Sequence, residues 1–432
     1  MTPPGRFMVL AEVQPGREQA LRDVLAQMNS GPGQADPANR LLPFGRFDTL
    51  HFARFVILDD ATQGDLHAHG MSPVSLPTWL AFIGDCDGPG ERQLDEFVRV
   101  AQGGLLAVFA HCVGAPDGTN LAAWLHAHDR PVAAAYTNWI GRTVRRVREE
   151  RALAEALAAR ARQLGAGGPA SLQALRAQLV AFVAAERREG RLRVGADPPT
   201  PAGWWWRNLA HAIAIPLLGL AALPFLILLS PFLAWHLRKL ERADAEIAPA
   251  PDPGHVARLA TFEDRCVTNA FTALGSVKPG RFRGTLVVVL VALLDYAARH
   301  VYGRGHLTRV QTIHFARWVF IDGGQRLLFA SNYDGILESY MDDFINKVGW
   351  GLNLVFSNGV GYPSSRWLIL DGAKDEQKFK YFLRRHELPT QVWYKAYPGL
   401  TAFDLKRNTL IREGIEKPVL PDADLRQWVA LL

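Results

Sequence analysis

The feature that most constrains this chain is that it repeats itself. Thr49, His51, Phe52, Ala53 and Arg54 return as Thr312, His314, Phe315, Ala316 and Arg317. Val13, Pro15, Gly16 and Arg17 return as Val277, Pro279, Gly280 and Arg281. Without a gap, Asp87-Gly88, Phe97, Phe109 and Gly114 align with Asp334-Gly335, Phe344, Phe356 and Gly361. His128, Pro131, Tyr136, Gly141 and Thr143 then match His386, Pro389, Tyr394, Gly399 and Thr401. Order is kept and only loop lengths change, so one supersecondary unit is written twice.

Within a unit, periodicity predicts strands over Phe7 to Val13, Leu50 to Leu58, Trp79 to Ile83 and Leu105 to Ala110. It predicts helices over Arg17 to Met28 and Glu91 to Val100, the second with Asp87 as its N-cap. A short helix near Leu121 to His126 and a strand near Val132 to Tyr136 follow. The order βαββαβ is that of the ferredoxin-like split unit. The expected fold is therefore α+β: tandem ferredoxin-like modules forming a pseudo-dimeric α+β barrel, with a helical, membrane-associated insertion between them. The expected divisions are residues 1–141 and 263–432 for the two modules, 142–200 for an Arg/Ala-rich helical hairpin, 201–242 for an apolar membrane-inserted segment and 243–262 for a linker.

The insertion carries its own signal. From Asn208 to Leu237, about 30 residues, there is no Lys, Arg, Asp or Glu. Trp204, Trp205 and Trp206 precede it and Trp235 closes it, as in an interfacial aromatic belt. Two modules pairing into one barrel must share one side of the membrane, which a single pass forbids. Basic residues flank both ends alike, so the positive-inside rule chooses no direction. A hairpin turning near Pro224 meets these conditions and is the expected arrangement, with a single span and a buried core helix pair as the alternatives. The helix from Leu286 to Leu294 is apolar nearly all round, and calls for burial against that hairpin, lipid or a second copy of the chain.

Three cysteines without paired spacing, and an N-terminus lacking a basic-then-apolar signal, point to a reducing compartment. The expected location is the cytoplasmic face of the cell membrane, anchored by 208–237. The net charge of +6, with Arg concentrated between Arg142 and Arg193, suits an anionic lipid surface, and nucleic acid is not an expected partner. No Walker loop and no Gly-x-Ser-x-Gly elbow is present, which removes support for phosphoryl transfer and serine hydrolysis.

Strand alternation puts Thr312, His314, Ala316 and Trp318 on one face and Arg317 on the other. The same split separates Thr49, His51 and Ala53 from Arg54. The expectation is that the His faces look into a cavity between the sheets, while Arg54 and Arg317 lie on the helix-packed faces or at a strand end that lets them escape. A histidine there can ligate iron or shuttle protons. Equally, each can hydrogen-bond Asp87 or Asp334 and brace a loop. His128, His386, Tyr136 and Tyr394 are expected to pack with a polar tether.

Two such modules in one chain resemble the dimeric α+β barrel superfamily, and Gly84-Asp85-Cys86-Asp87-Gly88 is similar to the Gly-x-x-Asp-Gly of dye-decolourising peroxidases. Repeat two has Ser331 in place of the first glycine. The resemblance implies haem, with His314 or His51 as cofactor ligand, His314 holding the metal, and Asp87, Asp334 and Arg317 as catalytic groups. His300 with Arg317, or His306 with Arg326, has roughly the family's proximal His and distal Arg spacing. What it implies is a membrane-attached, haem-dependent, peroxidase-like oxidoreductase acting on a lipophilic substrate. The alternatives are a non-catalytic lipid or small-molecule binding protein using the same cavity, and a cofactor-free monooxygenase.

Overall fold

The computed structural model describes residues 1–71, 76–165, 171–305, 307 and 309–432. The chain is α+β, 52% helix and 19% strand, and the insertion supplies much of the helical excess. The first unit runs β1 (Pro4–Glu12), α1 (Glu18–Ala26), β2 (Asn29–Gly31), β3 (Gln34–Ala35), β4 (Leu50–Leu58), β5 (Trp79–Asp87), α2 (Gly90–Phe109), α3 (Leu121–His128) and β6 (Ala134–Thr137). The insertion holds α4 (Val144–Gly165), α5 (Leu172–Arg188), α6 (Ala202–Ala243) and α7 (Pro253–Phe262). The second unit runs β7 (Thr268–Ser276), α8 (Arg281–His300), β8 (Ile313–Ile321), β9 (Arg326–Asp334), α9 (Leu337–Phe356), β10 (Ser365–Arg366), β11 (Leu370–Asp371), α10 (Glu376–His386), β12 (Thr390–Lys395), α11 (Ala402–Glu416) and α12 (Asp422–Val429).

The two main sheets have orders β1-β5-β4-β12-β3-β2 and β6-β8-β9-β7. The last strand of each unit is thus exchanged: β12 pairs antiparallel with β4, and β6 with β8. Tyr136 of β6 is buried in the second unit's core and Tyr394 of β12 in the first unit's. Met8, Leu10, Val56, Leu58 and Ile83 from one sheet meet Leu274, Val319, Ile321 and Leu328 from the other in a single apolar layer. The space between the sheets is packed with side chains along this stretch.

The segment expected as a fourth strand, Leu105 to Ala110, instead forms the second half of α2. Leu105, Val108 and Phe109 are buried at helical spacing, and α2 continues past a non-helical residue at Ala101. A Cβ on Gly104 would lie 1.7 Å from the Leu41 carbonyl oxygen, so the close approach of that loop requires glycine. The expected turn through 166–170 lies outside the described residues; α4 and α5 lie on either side of it, α5 capped by Ser171.

The expected hairpin is also corrected. α6 is one helix of 42 residues, continuous through Pro216, Pro224 and Pro231. Among the described residues it is the one helix long and apolar enough to cross a membrane. Its two ends nevertheless return to the same neighbour. His211 Nδ1 lies 2.9 Å from His300 Nε2 at the end of α8, while His236 packs edge-on against Phe282 at its start. Just beyond α6, Asp244 takes Lys278 at 2.8 Å and Arg283 at 2.6 Å. Between these anchors residues 216–232 are exposed, Ala222 alone being half-buried, so the middle of α6 stands clear of the body as an apolar bridge. From His211 to His236 it spans ~37 Å, against ~27 Å along α8 from Phe282 to His300. Prolines inside the bridge suit a bow, since each removes a ladder hydrogen bond.

Candidate functional site

The repeated His and Arg occupy the region between the sheets. A β-bulge opposite Asp85 and Cys86 falls at His51, and its counterpart at His314. A bulge places two successive residues on one side. His51 therefore reaches Phe315 of the opposite sheet at 5.4 Å and His314 reaches Phe52 at 5.5 Å, as expected for the histidines. Past the bulge the phase is the reverse of the expected one. Ala53 packs in the first unit's helix-side core, and Ala316 and Trp318 in the second's.

Arg54 and Arg317 are accordingly corrected: both cross between the sheets. Arg54 donates to Phe271 O (2.8 Å), Ser331 O (2.9 Å) and Thr272 Oγ1 (3.1 Å), and also bonds Asn332. Arg317 donates to Phe7 O (2.7 Å) and Gly84 O (2.9 Å) and pairs with Asp85. These partners are equivalent positions of the repeat, except that Asn332 stands where the first unit has Asp85. Two buried guanidiniums thus share one carboxylate, with Asn332 Nδ2 3.3 Å from Asp85 Oδ2. Burial pulls Arg54 down to about 9 against the opposing pull of the Asp85 carboxylate, which leaves it charged at neutral pH.

The aspartates tie the histidines to helix ends. His51 Nε2 lies 3.0 Å from Asp87 Oδ1, and Asp87 Oδ2 accepts from Val144 N at the start of α4. His314 Nε2 lies 2.7 Å from Asp334 Oδ1, and Asp334 Oδ2 accepts from Ala402 N at the start of α11. Asp87 thus caps α4 rather than α2, whose N-cap Pro89 has no side-chain bond. His51 Nδ1 also meets the Tyr397 hydroxyl at 2.9 Å. Tyr397, His51 and Asp87 form a relay like that of a nucleophile, base and orienting acid, but the hydroxyl is enclosed by Phe52 and its burial pushes its pKa well above the ordinary range. A buried phenol with no path to substrate braces rather than reacts.

The haem expectation can be tested on these residues. Both histidines are buried, both Nε2 atoms are committed to carboxylates, and aromatic rings pack against them. Neither presents a free Nε2 to an iron on an open face. Arg317 is held by strand carbonyls and Asp85, so it is not poised over a vacant site. His300 bonds His211 instead, Arg326 is taken by Asp322 at 2.5 Å, and His306 lies outside the described residues. Among the described residues no group of three or more His, Cys, Asp or Glu side chains is arranged to hold a metal ion. The residues do not fit haem.

Space with an apolar lining lies elsewhere, on the helix side of the second sheet. One cavity, about 60 Å³, lies among β7, α8, α9 and α10. A second, about 170 Å³, lies between α8 and α9. They share Phe329, Phe344, Leu352, Val355 and Phe356, so they adjoin across these side chains, an apolar tract of two chambers. Its outer part is lined by Leu293 and Trp350, each about half exposed on the surface. Trp318 Nε1 lies along it without a partner. At the inner end Ser276, Asn358 and His386 join the lining. His386, expected to pack with a polar tether, donates from Nδ1 to Phe382 O at 2.8 Å, as His128 does to Trp124 O. The sequence signal for the tract was α8 itself, apolar on too many faces for one sheet to cover.

No protein-family model, no curated protein and no solved structure matches this chain.

Proposed function

We propose that this is a membrane-attached, lipophile-binding protein, in which α6 dips into one leaflet and the tract of the second unit receives an apolar molecule from it. One observation carries the reading: a helix whose exposed middle is uncharged is anchored at both ends to the helix that walls an apolar tract. The exposed strip Val288, Val289 and Leu293 of α8 continues the apolar surface, and Leu293 also lines the tract. An exposed apolar surface of this extent marks a membrane or partner site. With both ends on one body, a helix of ~10 Å diameter fits within a leaflet of ~15 Å. The flanking Trp206 and Trp235, with Arg207 and Lys239, then meet the same interface from both ends, which accounts for basic residues flanking α6 on both sides. The repeat and its exchanged strands support a reading of the two units as ferredoxin-like modules closed into a pseudo-dimer. The cytoplasmic face fits the unpaired cysteines.

The test is flotation with phosphatidylcholine–phosphatidylglycerol vesicles. Wild type is expected to float, and Leu220→Asp with Leu226→Asp to sink while keeping its circular dichroism. Leu294→Trp, which fills the tract, is expected to float but to lose binding of a fluorescent lipophile. Flotation unaffected by the paired Asp substitutions refutes attachment through α6.

A further inference from the structure

The second unit carries a hairpin that the first does without. Four residues separate Pro116 from Leu121, which opens α3, whereas twelve separate the equivalent Pro363 from Glu376, which opens α10. The additional length holds β10 and β11, with Ser365 paired to Asp371 and Arg366 to Leu370. The first unit reaches the corresponding helix without them, so the module itself does not require this hairpin.

Its tip is built against local preference. Trp367 and Leu368 hold φ of 56° and 61°, and Ile369 N reaches Arg366 O at 3.4 Å. These are the two central positions of a tight turn with positive φ at both, where Asn-Gly is the favourable pair and two large side chains are strained. The turn is nevertheless gripped. Glu241, a buried carboxylate in the last turn of α6, accepts from Trp367 N at 3.0 Å and Leu368 N at 2.9 Å. At the base, Asn353 Nδ2 of α9 donates to Ile369 O at 3.1 Å and Asp371 O at 3.0 Å. What this grip presents outward is apolar, since Trp367, Ile369 and Leu370 are all exposed. Strain held in place to expose apolar side chains marks a contact surface.

The neighbours of the hairpin indicate what it contacts. It joins the end of α6 to α9, and Trp350, three residues before Asn353 on α9, is exposed and lines the outer part of the tract with Leu293 of α8. Arg238 Cζ lies 5.3 Å from the Trp367 ring, and Lys239 Nζ lies 5.4 Å from that of Trp235. Tryptophans with cations beside them, where an uncharged stretch ends, have the composition of a membrane–water interface. Arg238, Lys239 and Arg366 outnumber the Glu241 and Asp371 carboxylates with which the arginines pair, which suits anionic headgroups.

Resting on the membrane reading above, we propose that the β10–β11 hairpin is a second membrane-contact element, seating Trp367, Ile369 and Leu370 in the interface of an anionic phospholipid bilayer beside the C-terminal end of α6. A helix lying in a leaflet is a line of contact, about which the body can roll. A second point beside that line fixes the roll and holds Leu293 and Trp350 toward the lipid.

The experiment measures partition of the full chain onto phosphatidylcholine–phosphatidylglycerol vesicles, by flotation across a lipid titration. Trp367→Asn with Leu368→Gly writes the favourable turn sequence at the tip, so its melting temperature in detergent is expected to hold or rise. Its partition is expected to fall about tenfold, the effect of withdrawing roughly one large apolar side chain. Ile369→Ser, at an exposed position, is expected to weaken partition severalfold and provides a reading independent of the turn. Partition equal to wild type in both variants overturns the hairpin contact; if Leu220→Asp with Leu226→Asp then sinks, attachment through α6 still stands. Weakened partition in the hairpin variants while the α6 pair floats supports the hairpin and refutes α6. A lowered melting temperature in the turn variant, with partition unchanged in Ile369→Ser, makes the tip a packing element and overturns the proposal.

Discussion

Arg317→Met and Arg54→Met are chemically the same change at equivalent positions, and the structure predicts that only the first strands a carboxylate. Removing Arg317 strands Asp85, a buried carboxylate, and leaves Phe7 O and Gly84 O without that donor. Breaking one side of a buried pair costs about 3–5 kcal/mol, because the remaining charge is uncompensated. Removing Arg54 strands neutral acceptors, at about 1–3 kcal/mol, plus a desolvated cation–π contact with Trp393 at 4.9 Å, worth about 2 kcal/mol. Asp85 keeps Arg317 in that variant. The second substitution, Asp85→Asn, gives the first sheet the residue the second already has at Asn332. Alone it leaves two guanidiniums without a carboxylate and should cost several kcal/mol. Combined with Arg317→Met it removes the stranded charge, so the double variant should be about 2 kcal/mol more stable than the sum of the singles. Urea titration followed by tryptophan fluorescence at pH 7, in one detergent throughout, reads all four corners. Additivity of Arg317→Met and Asp85→Asn within ~0.5 kcal/mol would refute the stranded charge.

Gly84→Ala should destabilise by about 1–3 kcal/mol on the same assay, because its Cβ would lie 2.2 Å from the Phe7 ring in a packed core. Titration with haem should produce no Soret band that His314→Ala abolishes; a band lost in that variant but kept in His51→Ala would reverse the reading of the two histidines. The buried His386 is held neutral in the folded state, so the unfolded chain binds the additional proton. Its contribution to stability is complete above the ordinary imidazole value of 6.5 and is lost as pH falls below it toward the depressed folded value. Thermal melts across that range should lose this part of their slope in His386→Phe; an unchanged slope would assign the acid sensitivity to other buried histidines.

Much of the framework was legible because the repeat records it. Residues kept in both copies turn out to do the same work: Gly141 and Gly399 both adopt positive φ, and Asp87 and Asp334 both cap a helix far downstream. Arg54 and Arg317 carried a signal that alternation misread, namely an arginine kept twice in a strand otherwise made of core residues. The strand read into Leu105 to Ala110 failed because a short apolar run has no period of its own, and burial along one helical face decided it. The candidate tract was only hinted at by α8, since a groove is made by the spacing of two helices over a sheet and no single segment encodes it.

From its residues alone the chain declares a duplicated α+β unit, an uncharged helix-forming stretch between the copies, and the His, Asp and Arg positions that recur. These follow from period, composition and repetition, which are local properties. Only the tertiary structure decided which sheet each final strand would join, which way the arginines would point and where the ends of α6 would rest. A one-residue bulge reverses the side-chain phase of a strand, and a hydrogen bond from Asp87 to Val144 or from Asp334 to Ala402 joins distant segments. Such choices depend on which surfaces meet, and that is determined by packing between elements rather than by the pattern within any one of them.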